Sequence, residues 1–176
     1  MFCPVIMQAY VLSRNHASIC FTTGCLKCSS RCDLCKNFLI QDSKFKSFST
    51  GRTYKINQNL SCSSKNVVYL TLCTKCNLQY VGSTSTAFKV HFCNHKSAHK
   101  QKTCELAVHF NCTEHNISEI NFIVIEKVTS QGDTAHTDRL LLTKEAYWAA
   151  QLCTLSPHGL NKRRKFRFKN RVRYNT

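Results

Sequence analysis

Cysteine spacing constrains this chain more than any other feature. Cys25, Cys28, Cys32 and Cys35 form a C-x2-C-x3-C-x2-C run within CLKCSSRCDLCK, and Cys62 follows downstream. Cys73 and Cys76 make a second close pair, with His109 and His115 further along. Thiolates two residues apart can hold one tetrahedral ion from a single turn, and soft ligands at this density favour zinc. A disulfide framework prefers a shorter, exported chain with an even cysteine count, whereas this one has 13 cysteines in 176 residues. The reducing, metal-binding reading leads. For the first cluster, any four of Cys25, Cys28, Cys32, Cys35 and Cys62 could bind. For Cys73, Cys76, His109 and His115 the bland alternative is buried thiols and surface histidines. Cys3, Cys20, Cys93, Cys104, Cys112 and Cys153 read as packing or free thiols.

Charge narrows the partner. Lys and Arg total 25 against 9 Asp and Glu, a net charge of +16, which points to a polyanion: nucleic acid or an anionic membrane surface. No apolar stretch reaches the roughly 18 residues a membrane span needs. The opening MFCPVIMQAYVL is apolar, but no basic residue precedes it, so it fits a secretory leader poorly. With 43% hydrophobic residues, a packed interior is expected. At the other end, Lys162, Arg163, Arg164, Lys165, Arg167, Lys169, Arg171 and Arg173 interleave with Phe166, Phe168 and Tyr174. Such a tail can track phosphates and stack bases, or serve as a nuclear address; a solvated tail is compatible with either.

The middle of the chain carries the ordered pattern. NVVYLTL (66–72) and LQYVGS (78–83) are strand-like, joined by a turn at 73–77, and INFIVIEKV (120–128) is a third strand. A short strand is expected near Tyr54 and Ile56, after a turn at Thr50-Gly51-Arg52. Helical spacing runs from Thr86 to His99, shorter around Glu105–Phe110, and again from Thr137 to Cys153. In that last helix Leu141, Trp148 and Leu152 share a face with Glu145, a carboxylate placed where a partner must hold it or the stripe must end.

VVY (67–69) and YVG (80–82) followed by the helix TAFKVHFCNH resemble the GIY-YIG nuclease family. The strings NVVYLTLCTKCNLQYVGST and EAYWAAQLCTLSPHGLN are similar to the endonuclease domain of Penelope-like retroelements, from about Cys28 to Asn161. The fold implied is α/β: a small antiparallel, mostly three-stranded sheet flanked by helices near 86–98 and 137–153. An N-terminal cysteine-rich zinc-binding module precedes it. The expected organisation is an unassigned segment at 1–24, the cysteine-rich module and linker at 25–65, a nuclease-like domain at 66–161 and a basic tail at 162–176.

The resemblance implies a metal-dependent DNA endonuclease that nicks DNA for retroelement insertion in the nucleus. DNA is the partner, element RNA a further one, and no membrane is involved. Tyr69 and Tyr80 would be the active-site tyrosines, Glu145 the carboxylate ligand of Mg²⁺ or Mn²⁺, Asn161 a polar group bordering the site, and His95 a helix residue matching the pattern. It also implies a structural zinc at Cys73, Cys76, His109 and His115, and it favours Cys32, Cys35 and Cys62 over Cys25 upstream. A detached C-terminal piece of such an element, with residues 1–24 unrelated, is the expected origin.

One position departs from the family. Where a phosphate-contacting arginine is usual, this chain has His91. Arginine is always charged and grips phosphate with a planar fork, whereas histidine is mostly neutral near pH 7. A nearby phosphate would raise the His91 pKa and make activity favour lower pH. Lys89 lies on another face of the helix and is a poor substitute. The alternative function is therefore a catalytically inactive, zinc-stabilised nucleic-acid-binding protein.

Overall fold

The computed structural model describes residues 23–93, 105–112 and 115–162. Strand β5 (Val67–Cys73) lies at the centre of a three-stranded antiparallel sheet, with β6 (Gln79–Thr84) on one side and β7 (Ile120–Lys127) on the other. β5 is a run of β-branched and aromatic residues, six of its seven buried, as a strand covered on both faces requires. The turn to β6 closes through Asn77, which takes the left-handed conformation (φ 61°) and donates its N–H to Cys73 O.

Two smaller sheets precede this one. β1 (Gly24–Leu26) pairs in parallel with β4 (Asn59–Ser61), and β2 (Lys44–Lys46) pairs antiparallel with β3 (Thr53–Lys55). Ile56, expected in the same strand as Tyr54, falls just past its end and is buried. Helix α1 (Asp33–Asn37) carries Cys35 and leads into Phe38, whose carbonyl accepts from Phe122 N (2.8 Å) while Ile40 N donates back to Phe122 O (2.7 Å). The cysteine-rich segment is thus laid along β7. The hydrophobic core cluster accordingly draws on both sides of position 65, from Leu34, Phe45 and Leu60 to Val81, Phe88 and Phe122.

Residues 88–93 form α2, starting two residues later than the spacing suggested because 84–87 turn on themselves, with Thr86 N donating to Thr84 Oγ1 (3.2 Å). Its first N–H groups, which have no partner inside a helix, find carbonyls on the preceding segment: Phe88 N to Ser64 O (3.1 Å) and Lys89 N to Cys62 O (2.7 Å). α3 (Glu105–Phe110) matches the expected bounds. α4 (Thr134–Gln151) begins three residues before the expected start, because Asp133 caps it through His136 N (2.7 Å). Leu141, Ala149 and Leu152 are its buried contacts. Among the described residues no helix is long and apolar enough to cross a membrane.

Candidate functional site

Two ligand clusters emerge from the fold. Cys28, Cys32, Cys35 and Cys62 bring their sulfurs within 4.8 Å of one another. Cys35 Sγ stands 3.4 Å from Cys62 Sγ and 3.7 Å from Cys28 Sγ, and Cys32 Sγ is 3.8 Å from Cys62 Sγ. A tetrahedral ion with bonds of about 2.3 Å holds its sulfurs roughly 3.8 Å apart, whereas a disulfide needs about 2.05 Å. The geometry suits a metal such as zinc, and these cysteines are free thiols. Cys25, one of five sequence candidates, stands outside the group. It is fully buried, and burial pushes its thiol up to about 11. Burial likewise raises Cys35 and Cys62, while hydrogen bonds, that of Cys62 first, lower exposed Cys28 to about 7.

The second cluster is Cys73, Cys76, His109 and His115. Cys73 ends β5, Cys76 lies in the hairpin turn, His109 is on α3, and His115 precedes the 3₁₀ turn Ile117–Glu119. Cys73 Sγ is 3.5 Å from His115 Nδ1, and Cys76 Sγ is 3.6 Å from His109 Nε2. Bonds of about 2.3 Å to sulfur and about 2.05 Å to nitrogen put S and N roughly 3.5 Å apart on a tetrahedron. His115 Nδ1 also faces Glu119 Oε2 at 3.3 Å, adding negative charge beside the group. Burial lowers His109, with His115 a lesser cause, and raises Cys76. His109 therefore favours the neutral form that metal ligation needs.

Tyr69 and Tyr80 converge on one glycine. Register pairs Tyr69 with Gly82, and a Cβ built on Gly82 would meet the Tyr69 hydroxyl and come 2.9 Å from Tyr80 Cε1. Only a residue without a side chain lets both rings settle there, which explains glycine after YV. Gly82→Ala is expected to push the rings apart and cost about 1–3 kcal/mol of stability by overpacking, read as a lowered denaturation midpoint. An unchanged midpoint would mean the rings do not need that space.

His91, on α2, meets this pair from above the sheet: its Nε2 lies 3.0 Å from the Tyr69 hydroxyl. Tyr69 is 1% exposed and packs on Phe88, ring centroids 4.9 Å apart. Burial lowers the His91 pKa. In the free protein burial thus favours neutral His91; the expected rise belongs to a bound phosphate.

Glu145 reaches β6 from α4, where its Oε2 accepts from Ser83 Oγ at 2.6 Å. Ser83 is the residue after Gly82, so the carboxylate is tied to the strand that carries Tyr80. No group of three or more acidic, His or Cys ligands among the described residues includes Glu145. A lone carboxylate fits Mg²⁺, which keeps several waters and takes other oxygens from substrate phosphate.

Asn161 is 7% exposed, and its amide works on backbone. Oδ1 accepts from Val81 N (2.8 Å) and Thr154 Oγ1 (2.7 Å), while Nδ2 donates to Val81 O (2.7 Å). It closes the open edge of β6 as a neighbouring strand would. His95, Arg163, Arg164, Lys165, Arg167, Lys169, Arg171 and Arg173 lie outside the described residues; Lys162 is exposed. Sequence reasoning missed Ser83, whose hydroxyl anchors Glu145, and the Cys62–Lys89 link, a backbone contact with no side-chain signature.

No protein-family model, curated protein or solved structure matches the chain.

Proposed function

We propose that the chain is a metal-dependent endonuclease of the GIY-YIG type, cutting a phosphodiester in DNA, with two structural zinc sites framing its nuclease sheet. The carrying observation is the convergence of Tyr69 and Tyr80 over Gly82 with His91 3.0 Å from the Tyr69 hydroxyl. The resemblance to Penelope-like endonucleases, the net charge of +16 and the single carboxylate Glu145 held at β6 support it. Glu145 would hold a divalent ion, which would supply charge neutralisation to the reacting phosphate.

The chain's own groups handle the proton. A phenol with pKa near ~10 is a weak base, so Tyr69 needs somewhere to send its proton. Neutral His91, protonated on Nδ1, accepts it at Nε2 while the Tyr69 oxygen takes a proton from the attacking water. The water oxygen bonds to phosphorus, the P–O3′ bond breaks, and the leaving 3′ oxygen takes its proton from solvent. What His91 does not bring is a fixed positive charge on the phosphate, so the native enzyme is slow.

That same neutral histidine favours the second reading, a zinc-stabilised nucleic-acid-binding protein that does not cut. Nicking of supercoiled plasmid in Mg²⁺ by the native protein and by His91→Arg separates them. Arginine gives up proton acceptance, worth roughly 10²–10⁴ in rate, for a charge worth about 3 kcal/mol, roughly a hundredfold; nicking by either protein gives the first reading. Absence of nicking by both proteins, with DNA still bound, gives the second reading.

A further inference from the structure

The sheet has a second face, and it is not filled. Leu70 and Leu72 leave β5 on the side opposite to Tyr69, and Leu70 pairs with Ile123 on β7. The β2–β3 hairpin stands off these residues and leaves a cleft of about 380 Å³ between them. Apolar side chains form its floor, and Lys44, Lys46 and Phe48 border it. Phe48 is 46% exposed, unusual for a phenylalanine next to a core.

The cleft is built rather than accidental. Gln79 reaches across from β6, accepting from Phe48 N (2.9 Å) and donating to Lys46 O (2.8 Å). Ser47, fully buried, donates to Leu152 O (2.9 Å). Phe45, at the back, packs against Trp148 with ring centroids 5.1 Å apart. These contacts hold the hairpin at a fixed height above the sheet.

Charge indicates the occupant. Lys44, Lys46 and Lys55 are exposed along the hairpin, with Lys44 directly across from Lys55, and Arg52 sits at its turn. The acid at the cleft, Asp42, accepts from Lys44 N through its side chain. An apolar slot with a line of cations fits a flat base whose flanking phosphates run along the lysines. A fatty acid would use the apolar floor but supply one anionic group for several cations.

The geometry points to this cleft as a binding site for an unpaired nucleobase of single-stranded nucleic acid, stacked on Phe48 with its phosphates on Lys44 and Lys46. This rests on the nucleic-acid reading above, and it places a strand-holding site on the opposite face from the tyrosines. Such a site would retain a strand that has left the duplex near the nick.

The test uses the full chain and two fluorescent twelve-residue strands of equal charge, oligo-dT and its wholly abasic counterpart, at fixed salt. Base–aromatic stacking is worth about 1–3 kcal/mol per base, so Phe48→Ala should weaken oligo-dT roughly tenfold and leave the abasic strand unchanged. Oligo-dT should also shift Trp148 emission, because Phe45 links that ring to the cleft. Phe48 is half-exposed, so circular dichroism of the variant should match the native protein. Equal binding of oligo-dT and abasic strand by the native protein overturns the proposal while leaving nucleic-acid binding intact. Binding of neither strand overturns both, and an oleate-induced Trp148 shift lost in Phe48→Ala, with oligo-dT giving none, assigns the cleft to an apolar acid instead.

Discussion

Stripping metal from the Cys28–Cys32–Cys35–Cys62 site is expected to unfold the cysteine-rich segment and to disorder the tyrosine site with it. Structural zinc contributes an apparent 10–16 kcal/mol in small domains, comparable to the about 5–15 kcal/mol by which a whole domain is stable. The coupling runs through named bonds. Cys62 belongs to the candidate cluster, its carbonyl accepts from Lys89 N (2.7 Å), and Lys89 lies in the first turn of the helix that presents His91 to Tyr69. Phe38, just past the Cys35 helix, packs on Phe92 of α2 with ring centroids 5.1 Å apart. Purified protein should hold two zinc ions per chain, and a strong chelator should release both and lower the denaturation midpoint by well over ten degrees. Cys62→Ser should cut metal content by one ion, whereas Cys25→Ser, outside the cluster, should leave it at two. A protein that is purified without zinc and ignores the chelator would sink the assignment. Loss of an ion in Cys25→Ser would mean a different set of four.

How far these features were legible beforehand depended on whether they were local. β5, β6 and β7 show in the sequence because NVVYLTL and INFIVIEKV are dense in β-branched and aromatic residues, and Asn77 marks the turn. The second ligand cluster could be read from Cys73, Cys76, His109 and His115, since the close cysteine pair fixes two ligands at once. Spacing alone did not settle the choice among five cysteines upstream, because C-x2-C-x3-C-x2-C already offers four sulfurs without Cys62; only the resemblance favoured Cys32, Cys35 and Cys62 over Cys25. What separates Cys25 from Cys28 is that Cys25 lies in a strand paired with β4 while Cys28 follows it in the loop. The start of α4 was missed because Thr134 and His136 are polar, and only the Asp133 cap signals that the helix has begun. The resemblance alone put Asn161 beside the site; its bonds to Val81, distant in sequence, leave no local trace.

Tyr69→Phe and Glu145→Ala should each reduce nicking by about a thousandfold or more, for different reasons that a pH profile separates. Tyr69→Phe removes one oxygen and keeps the ring, so packing on Phe88 and Phe122 survives and the denaturation midpoint stays near native. What is lost is the relay to His91, and positioned proton transfer contributes roughly 10²–10⁴ in rate. Glu145→Ala removes the carboxylate proposed to hold the divalent ion, and the deficit should persist at every Mg²⁺ concentration. Ser83 loses its acceptor but lies half-buried, so the fold should tolerate the change. The sign of the pH dependence follows from His91. Protonated, its Nε2 donates and cannot take the Tyr69 proton. Nicking by the native protein should therefore fall as pH drops through the His91 pKa, which burial places below the usual histidine value of 6.5. Above that pKa the rate should level off as far as His91 is concerned. In His91→Arg the acid limb should vanish, since the guanidinium carries its charge throughout. A native profile that instead rises toward acid pH would mean a protonated His91 serving the phosphate as the missing arginine would, and the relay through Tyr69 would be wrong.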